Sequence, residues 1–168
     1  MKKKFVFPVS LAIAVILCIS GFTKIPTSDK INDKTTPGDD NAGLTLPKGF
    51  SASIVANHLG QVRHIAVTKE GDVYAKLARA KNGKGILFLK DNNGNLEEQN
   101  GFGDYGGTAM RIHDGYLYAS SNTDVFRYKL NNNDEVTDAS NPEKIVSGLL
   151  DHGEHNSKSL TFDDAGNI

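Results

Sequence analysis

From about residue 60 onward, short runs of alternating apolar and polar residues are separated by clusters of Asn, Asp and Gly, a pattern that predicts β-strands joined by tight turns. Three segments repeat one another. Ile65-Ala66-Val67 leads to Gly71 and then Val73-Tyr74; Met110-Arg111-Ile112 leads to Gly115 and then Leu117-Tyr118; Leu160-Thr161-Phe162 leads to Gly166 and then Ile168. Each reads as a hairpin, because an alternating strand is half-buried and a polar turn containing glycine reverses the chain. The turn glycines are 44 residues apart (71 to 115) and 51 apart (115 to 166), close to the ~40 to 50 residues of one four-stranded propeller blade.

A second register points the same way. Ile86-Leu87-Phe88-Leu89-Lys90 and Phe126-Arg127-Tyr128-Lys129-Leu130, each followed by an Asn-rich turn, are 40 residues apart and predict third strands with their exit turns. The expected fold class is all-β, a β-propeller of which about two and a half blades are present: blade one over residues 62–105, blade two over 106–153, and a third beginning near 155. So few blades leave apolar faces uncovered, so the chain reads as a truncated propeller. An ordinary β-sandwich with coincidental turn spacing is the competing reading.

The first residues carry a different pattern. Lys2, Lys3 and Lys4 precede an apolar run from Leu11 to Ile19 and the small residues Ser20 and Gly21, which predicts a signal peptide over 1–21 and a secreted or periplasmic protein. The apolar run falls short of the ~20 residues of a spanning helix. The single cysteine, Cys18, lies inside the signal, so cleavage after Ser20 leaves no disulfide. A lipoprotein anchor at Cys18 is the alternative, disfavoured by the bulk of Leu17 before it. Residues 22–43 are rich in Thr, Asp, Lys, Asn, Pro and Gly and predict a disordered linker, so the folded domain spans 44–168.

Composition narrows the partner. With 19 Lys+Arg against 20 Asp+Glu, a net charge of −1 gives no electrostatic reason to expect a nucleic-acid partner. A neutral small molecule is easier to accommodate.

Leu46-Pro47-Lys48-Gly49-Phe50, Arg63-His64-Ile65-Ala66-Val67 through Tyr74, and Glu154-His155-Asn156-Ser157-Lys158-Ser159-Leu160 through Gly166 resemble the glucose/sorbosone dehydrogenase family. That resemblance implies a six-bladed propeller that oxidises a sugar with pyrroloquinoline quinone and calcium and passes electrons to a soluble or fused acceptor such as a cytochrome c. It implies that His155 is the general base taking the proton of the anomeric hydroxyl while hydride passes to the quinone. Imidazole suits that task because its unperturbed pKa of ~6.5 lies near operating pH. It also implies that Glu154 contacts substrate hydroxyls. Tyr105 stands where the family often has a substrate-contacting amide, so it is taken as a substrate-binding candidate, and the identity of the sugar is left open. The quinone-holding residues and calcium ligands of the family come from later blades, so no cofactor-binding or metal residue is assigned here.

Position in the repeat supports His155 separately. It lies five residues before Leu160, as Tyr105 lies before Met110 and Gly60 before Ile65, so the three connections are expected at one rim. His64 and His113 read as structural or surface residues. His152-x-Glu154-His155 lacks the second ligand pair that zinc needs. Asp91-Asn92-Asn93-Gly94 reads as a β-turn, because Phe102 stands where a calcium loop requires a bidentate Glu. Two other functions compete with the dehydrogenase: a non-catalytic propeller binding module and a calcium-dependent lactonase-like hydrolase.

Overall fold

The computed structural model describes residues 41–153 and 158–168. The expectations for the signal peptide and most of the linker, and the candidates Glu154 and His155, fall outside those residues. The described residues all belong to the second of two units into which the chain divides, Asp33–Ile168. They contain one 3-10 turn at Asn41–Gly43, no α-helix, and eight strands: β1 Val62–Val67, β2 Val73–Lys81, β3 Lys84–Asn92, β4 Asn95–Phe102, β5 Met110–His113, β6 Tyr116–Ser120, β7 Val125–Lys129 and β8 Glu143–Val146. The strands form two antiparallel four-stranded sheets in sequential order, β1-β2-β3-β4 and β5-β6-β7-β8.

The register reproduces the sequence repeat. Ile65 pairs with Ala75, Ala66 with Tyr74 and Val67 with Val73 in the first sheet; Met110 pairs with Ala119, Arg111 with Tyr118 and Ile112 with Leu117 in the second. The third strands correct one expectation. Leu89 pairs with Val73 and Tyr128 with Leu117, so Leu89 corresponds to Tyr128, 39 residues on, and the 40-residue alignment is one residue out of register. A slip of one residue exchanges the two faces of a strand. In β3 all four positions from Ile86 to Leu89 are apolar and buried, so no alternation was there to fix the phase.

Equivalent faces point the same way along the chain. In the first sheet Tyr74, Ile86, Phe88 and Phe102 pack against Met110, Leu117, Ala119, Tyr128 and Leu130 of the second. The opposite face of the first sheet, Val73, Ala75, Leu77, Leu87 and Leu89, is covered by Ala56 and Leu59, with Leu96 of β4 packed beside it. Leu117, Ala119 and Tyr128 thus face backward toward the first sheet, as their equivalents Val73, Ala75 and Leu89 face backward toward residues 56–59. In a two-fold sandwich the equivalent faces would meet each other. Here each sheet presents its forward face to the next, and the first strands, β1 and β5, approach most closely across the interface. That is the relation between successive blades of a propeller.

The inter-sheet core is aromatic. Tyr74 lies 4.7 Å from Phe88, and Phe102 meets Tyr128 edge-on at 4.9 Å. Burial of each such side chain contributes about 2 kcal/mol, with the ring geometry adding less. The buried Tyr74 hydroxyl is satisfied from the connection between β7 and β8, donating to the Asp134 carbonyl at 2.9 Å and accepting from the Val136 amide at 3.0 Å.

The third repeat is present as a turn. The Asp163 amide donates to the Asn167 carbonyl at 3.0 Å and the Gly166 amide to the Asp163 carbonyl at 3.0 Å, matching Thr68 with Asp72 at 2.8 Å and Gly71 with Thr68 at 3.2 Å in the first. No strand is assigned there, but Phe162 packs on the forward face of the second sheet, edge-on to Tyr118 at 4.7 Å and stacked on His113 at 4.1 Å. The Asn93-Gly94 pair, with φ of 55° and 91°, makes a two-residue hairpin turn between β3 and β4, and the Asp91 carboxylate accepts the Gly94 amide at 2.8 Å. Ile65 and Val67 on β1 stay 55 % and 56 % exposed.

Candidate functional site

The connection from β4 to β5 is forced into close contact with both second strands. The Gly107 amide donates to the Leu77 carbonyl of β2 at 3.2 Å, and a Cβ on Gly107, whose φ is +155°, would sit 2.1 Å from the Ser120 carbonyl of β6. A Cβ on Gly106 would sit 2.2 Å from the Ala78 carbonyl, and one on Gly85 would sit 1.9 Å from the Tyr105 carbonyl. Only glycines let three backbones pass this closely. The Gly60 end of β1 meets the same end of β2, where the Ala78 amide donates to the Gln61 carbonyl at 2.8 Å. Two of the three expected rim connections therefore share one end of the sheets. The described flanks of the third lie at the corresponding end of β6: Asn122 Nδ2 donates to Asp151 at 3.1 Å and Ser120 Oγ to the Lys158 carbonyl at 2.9 Å.

At this end a cleft of about 420 Å³ opens between Asp104, Tyr105 and Gly106 on one side, Ser121–Asp124 and Phe126 on another, and Asp151. The β6–β7 turn is organised by its own side chains. Ser121 Oγ accepts the amides of Thr123 and Asp124 at 3.2 and 2.9 Å, Thr123 Oγ1 donates to Asp124 at 2.8 Å, and Lys144 pairs with Asp124 at 3.2 Å. The Thr123 hydroxyl, ahead of Lys144, holds the Asp124 carboxyl below its ordinary range. The Gly153 amide, bound at 2.9 Å, does the same for Asp151, helped by Asn122. Both carboxylates are ionised at neutral pH and act only as hydrogen-bond acceptors, which suits ligands that bring hydroxyl donors.

Tyr105 lines this cleft, but its hydroxyl is turned inward. It lies 2.9 Å from the Tyr128 hydroxyl, its ring packs on Phe126 at 4.7 Å, and burial raises its pKa well above the ordinary tyrosine value. It offers a ligand an aromatic surface, not a phenol. Glu154 and His155 lie outside the described residues, and His152 is exposed. His64 is exposed on β1. Among the described residues no cluster of His, Cys, Asp and Glu is arranged to hold a metal.

Asp104, Asp124, Asp151 and the Ser121-Asn122-Thr123 turn were not singled out in the sequence. Their only signal is a polar run between two apolar strands, which reads as any turn. Lys76, fully buried beneath Tyr105, carries no sequence signal either, because a lysine inside a strand reads as solvent-facing.

Two solved structures resemble the chain: the holo form of the pyranose dehydrogenase PQQ domain from Coprinopsis cinerea, at 17% identity and a TM-score of 0.60 over 73% of this chain, and a Trichoderma reesei carbohydrate-active enzyme of family AA12, at 21% identity and a TM-score of 0.56 over 72%. This chain spans 29% and 31% of their respective lengths. No curated protein matches it significantly. A family profile described as TrAA12-like matches residues 44–167. Together with the pyrroloquinoline-quinone sugar-dehydrogenase resemblance in its sequence, that match places the chain in the TrAA12-like family, to which it belongs.

Proposed function

We propose that the chain contributes the first blades and part of the sugar site of a secreted, pyrroloquinoline-quinone-dependent oxidoreductase acting on a pyranose or related aldose. The observation that carries this reading is the family match over 44–167. It is supported by the blade-like stacking of the two sheets and by solved relatives named as a pyranose dehydrogenase PQQ domain and a carbohydrate-active enzyme. A six-bladed ring accounts for the exposed apolar strand β1, whose Ile65 and Val67 further sheets would shield. The lysines and apolar run of the first residues support export, to the periplasm or beyond.

The cleft suits the sugar better than the quinone. Pyrroloquinoline quinone is a planar tricarboxylate and calls for cations or amide donors. The described lining instead presents Asp104, Asp124 and Asp151, and the nearby cation Lys144 is already paired with Asp124. These residues do not fit the quinone. A polyhydroxylated ring fits them: hydroxyls donate to Asp124 and Asp151, and an apolar sugar face lies against Tyr105 and Phe126.

In this reading His155 accepts the proton of the anomeric hydroxyl, Glu154 binds a neighbouring hydroxyl and Tyr105 supports the ring. Support for His155 comes from its flanks, since Asp151 lines the cleft and the Lys158 carbonyl is bound at the same end of β6. A neutral imidazole is required as the proton acceptor. Calcium and the electron acceptor, a cytochrome c or another soluble or fused protein, belong to the same proposal.

The test is reconstitution of the full-length gene product with pyrroloquinoline quinone, with and without calcium, and sugar-dependent reduction of an artificial dye. Wild-type protein is expected to reduce dye with pyranoses and His155→Ala to lose at least a hundredfold in kcat. Equal rates for the two would remove His155 from the chemistry. Sugar binding without dye reduction would favour a non-catalytic module, and lactone hydrolysis a calcium-dependent hydrolase.

A further inference from the structure

Lys76 in β2 and Ser120 in β6 are equivalent in register, since each follows the alanine that pairs with the first sheet position, Ala75 with Ile65 and Ala119 with Met110. Both are 0 % exposed. Both reach forward to the connection that enters the next repeat. Ser120 Oγ donates to the Lys158 carbonyl at 2.9 Å. Lys76 Nζ donates to the Tyr105 carbonyl at 2.7 Å, has a longer contact of 3.4 Å with the Gly85 carbonyl, and lies 4.2 Å from the centre of the Tyr105 ring. Among the described residues no carboxylate pairs with it.

A buried amine that meets no carboxylate among the described residues is costly, and a leucine or methionine would fill the same space without that cost. What only the amine supplies is a donor long enough to reach the Tyr105 carbonyl from the floor of the inter-sheet core. Tyr105 and Gly106 line the cleft opposite Ser121–Asp124, and Gly107 follows them in the chain. The Gly107 amide is held by the Leu77 carbonyl at 3.2 Å.

We propose that Lys76 is a positioning residue of the sugar cleft: by tethering the Tyr105 carbonyl and underlying the Tyr105 ring, it fixes the wall against which the substrate lies and so sets sugar affinity without entering the chemistry. The inference rests on the reading of the cleft given above. It assigns the two buried side chains at this register a shared task, holding the incoming connection, with lysine used where the carbonyl is farther away.

The experiment is Lys76→Met, close in length and lacking the donor. In the chain, amide exchange at Gly106 and Gly107 is expected to quicken at least tenfold while the ladder amides of Ala75 and Leu87 keep their rates. In the full-length, quinone-loaded product, KM for the sugar is expected to rise about five- to tenfold with kcat unchanged. Exchange that is unchanged, or that quickens uniformly across both sheets, overturns the tether. A fall in kcat with KM unchanged overturns the positioning role. Should the variant not fold, wild-type chain carries the test: the Tyr105 carbonyl 13C resonance must shift together with the titration of the Lys76 Cε resonance, and a Tyr105 carbonyl that stays still overturns the proposal. Absence of sugar oxidation by the wild type would instead sink the reading of the cleft, with the tether still judged by exchange.

Discussion

Replacing Lys76 with methionine should change how the stability of the chain depends on pH. Burial alone lowers the Lys76 pKa from 10.5 to about 7. The unfolded chain, with a lysine of ordinary pKa, therefore binds more protons than the folded chain between those two values. Stability then rises with pH across that window, because its slope follows the protons held by the unfolded state less those held by the folded. Below about pH 7 the penalty of a buried ammonium is fully present. A displacement from 10.5 to about 7 corresponds to about 5 kcal/mol in total. From pH 7.5 to 9.5 the wild type should gain about 2 kcal/mol. Lys76→Met loses the donor to Tyr105, at a cost of about 1 to 3 kcal/mol, but removes this slope. Urea melts of both proteins at half-unit intervals of pH, extrapolated linearly to water, give the difference directly. If the stability difference between wild type and variant stays constant from pH 7.5 to 9.5, Lys76 does not sit as an isolated amine in the core and the reasoning fails.

Other outcomes follow from the same geometry. Tyr128→Phe strands the buried Tyr105 hydroxyl, bound at 2.9 Å in the wild type, and should cost about 1 to 2 kcal/mol, much of it recovered in the Tyr105→Phe/Tyr128→Phe double variant; thermal melts of the double-mutant cycle check this. Gly85→Ala would bring a methyl group to 1.9 Å from the Tyr105 carbonyl and should destabilise by about 3 kcal/mol, read from the denaturant midpoint. The carboxyls of Asp124 and Asp151 have folded pKa values below their ordinary 3.8; each stabilises the rim turns above that value, and the contribution is lost as pH falls through the lower folded value. An NMR titration showing either carboxyl protonating above 3.8 would contradict the hydrogen bonds assigned to it.

How far the chain could be read without coordinates depended on which side chains declare their surroundings. Turn glycines at 71, 115 and 166 and the alternating residues beside them mark the hairpins because turns constrain φ and strands constrain burial period. The register of the first two strands followed from that. The third strand did not, since Ile86-Leu87-Phe88-Leu89 is buried on both faces and has no alternation to count. Tyr105 was legible as a rim residue by its offset from Met110, whereas the inward turn of its hydroxyl depends on Tyr128, a partner 23 residues away that no local pattern announces. Lys76 was illegible for a related reason: the covering of its face is supplied by another sheet, and a single strand does not show which of its two faces will be covered.

That equivalent faces all point forward has a consequence for assembly. The unit has a head, bearing Tyr118 and Phe162, and a chemically different tail, where Ile65 and Val67 of β1 stay exposed. Surfaces of that kind do not complement themselves across a two-fold axis. Copies meeting through them would add head to tail in one direction, and the rotation that carries one blade to the next would close such a series into a ring, so self-association of this chain would not stop at a pair.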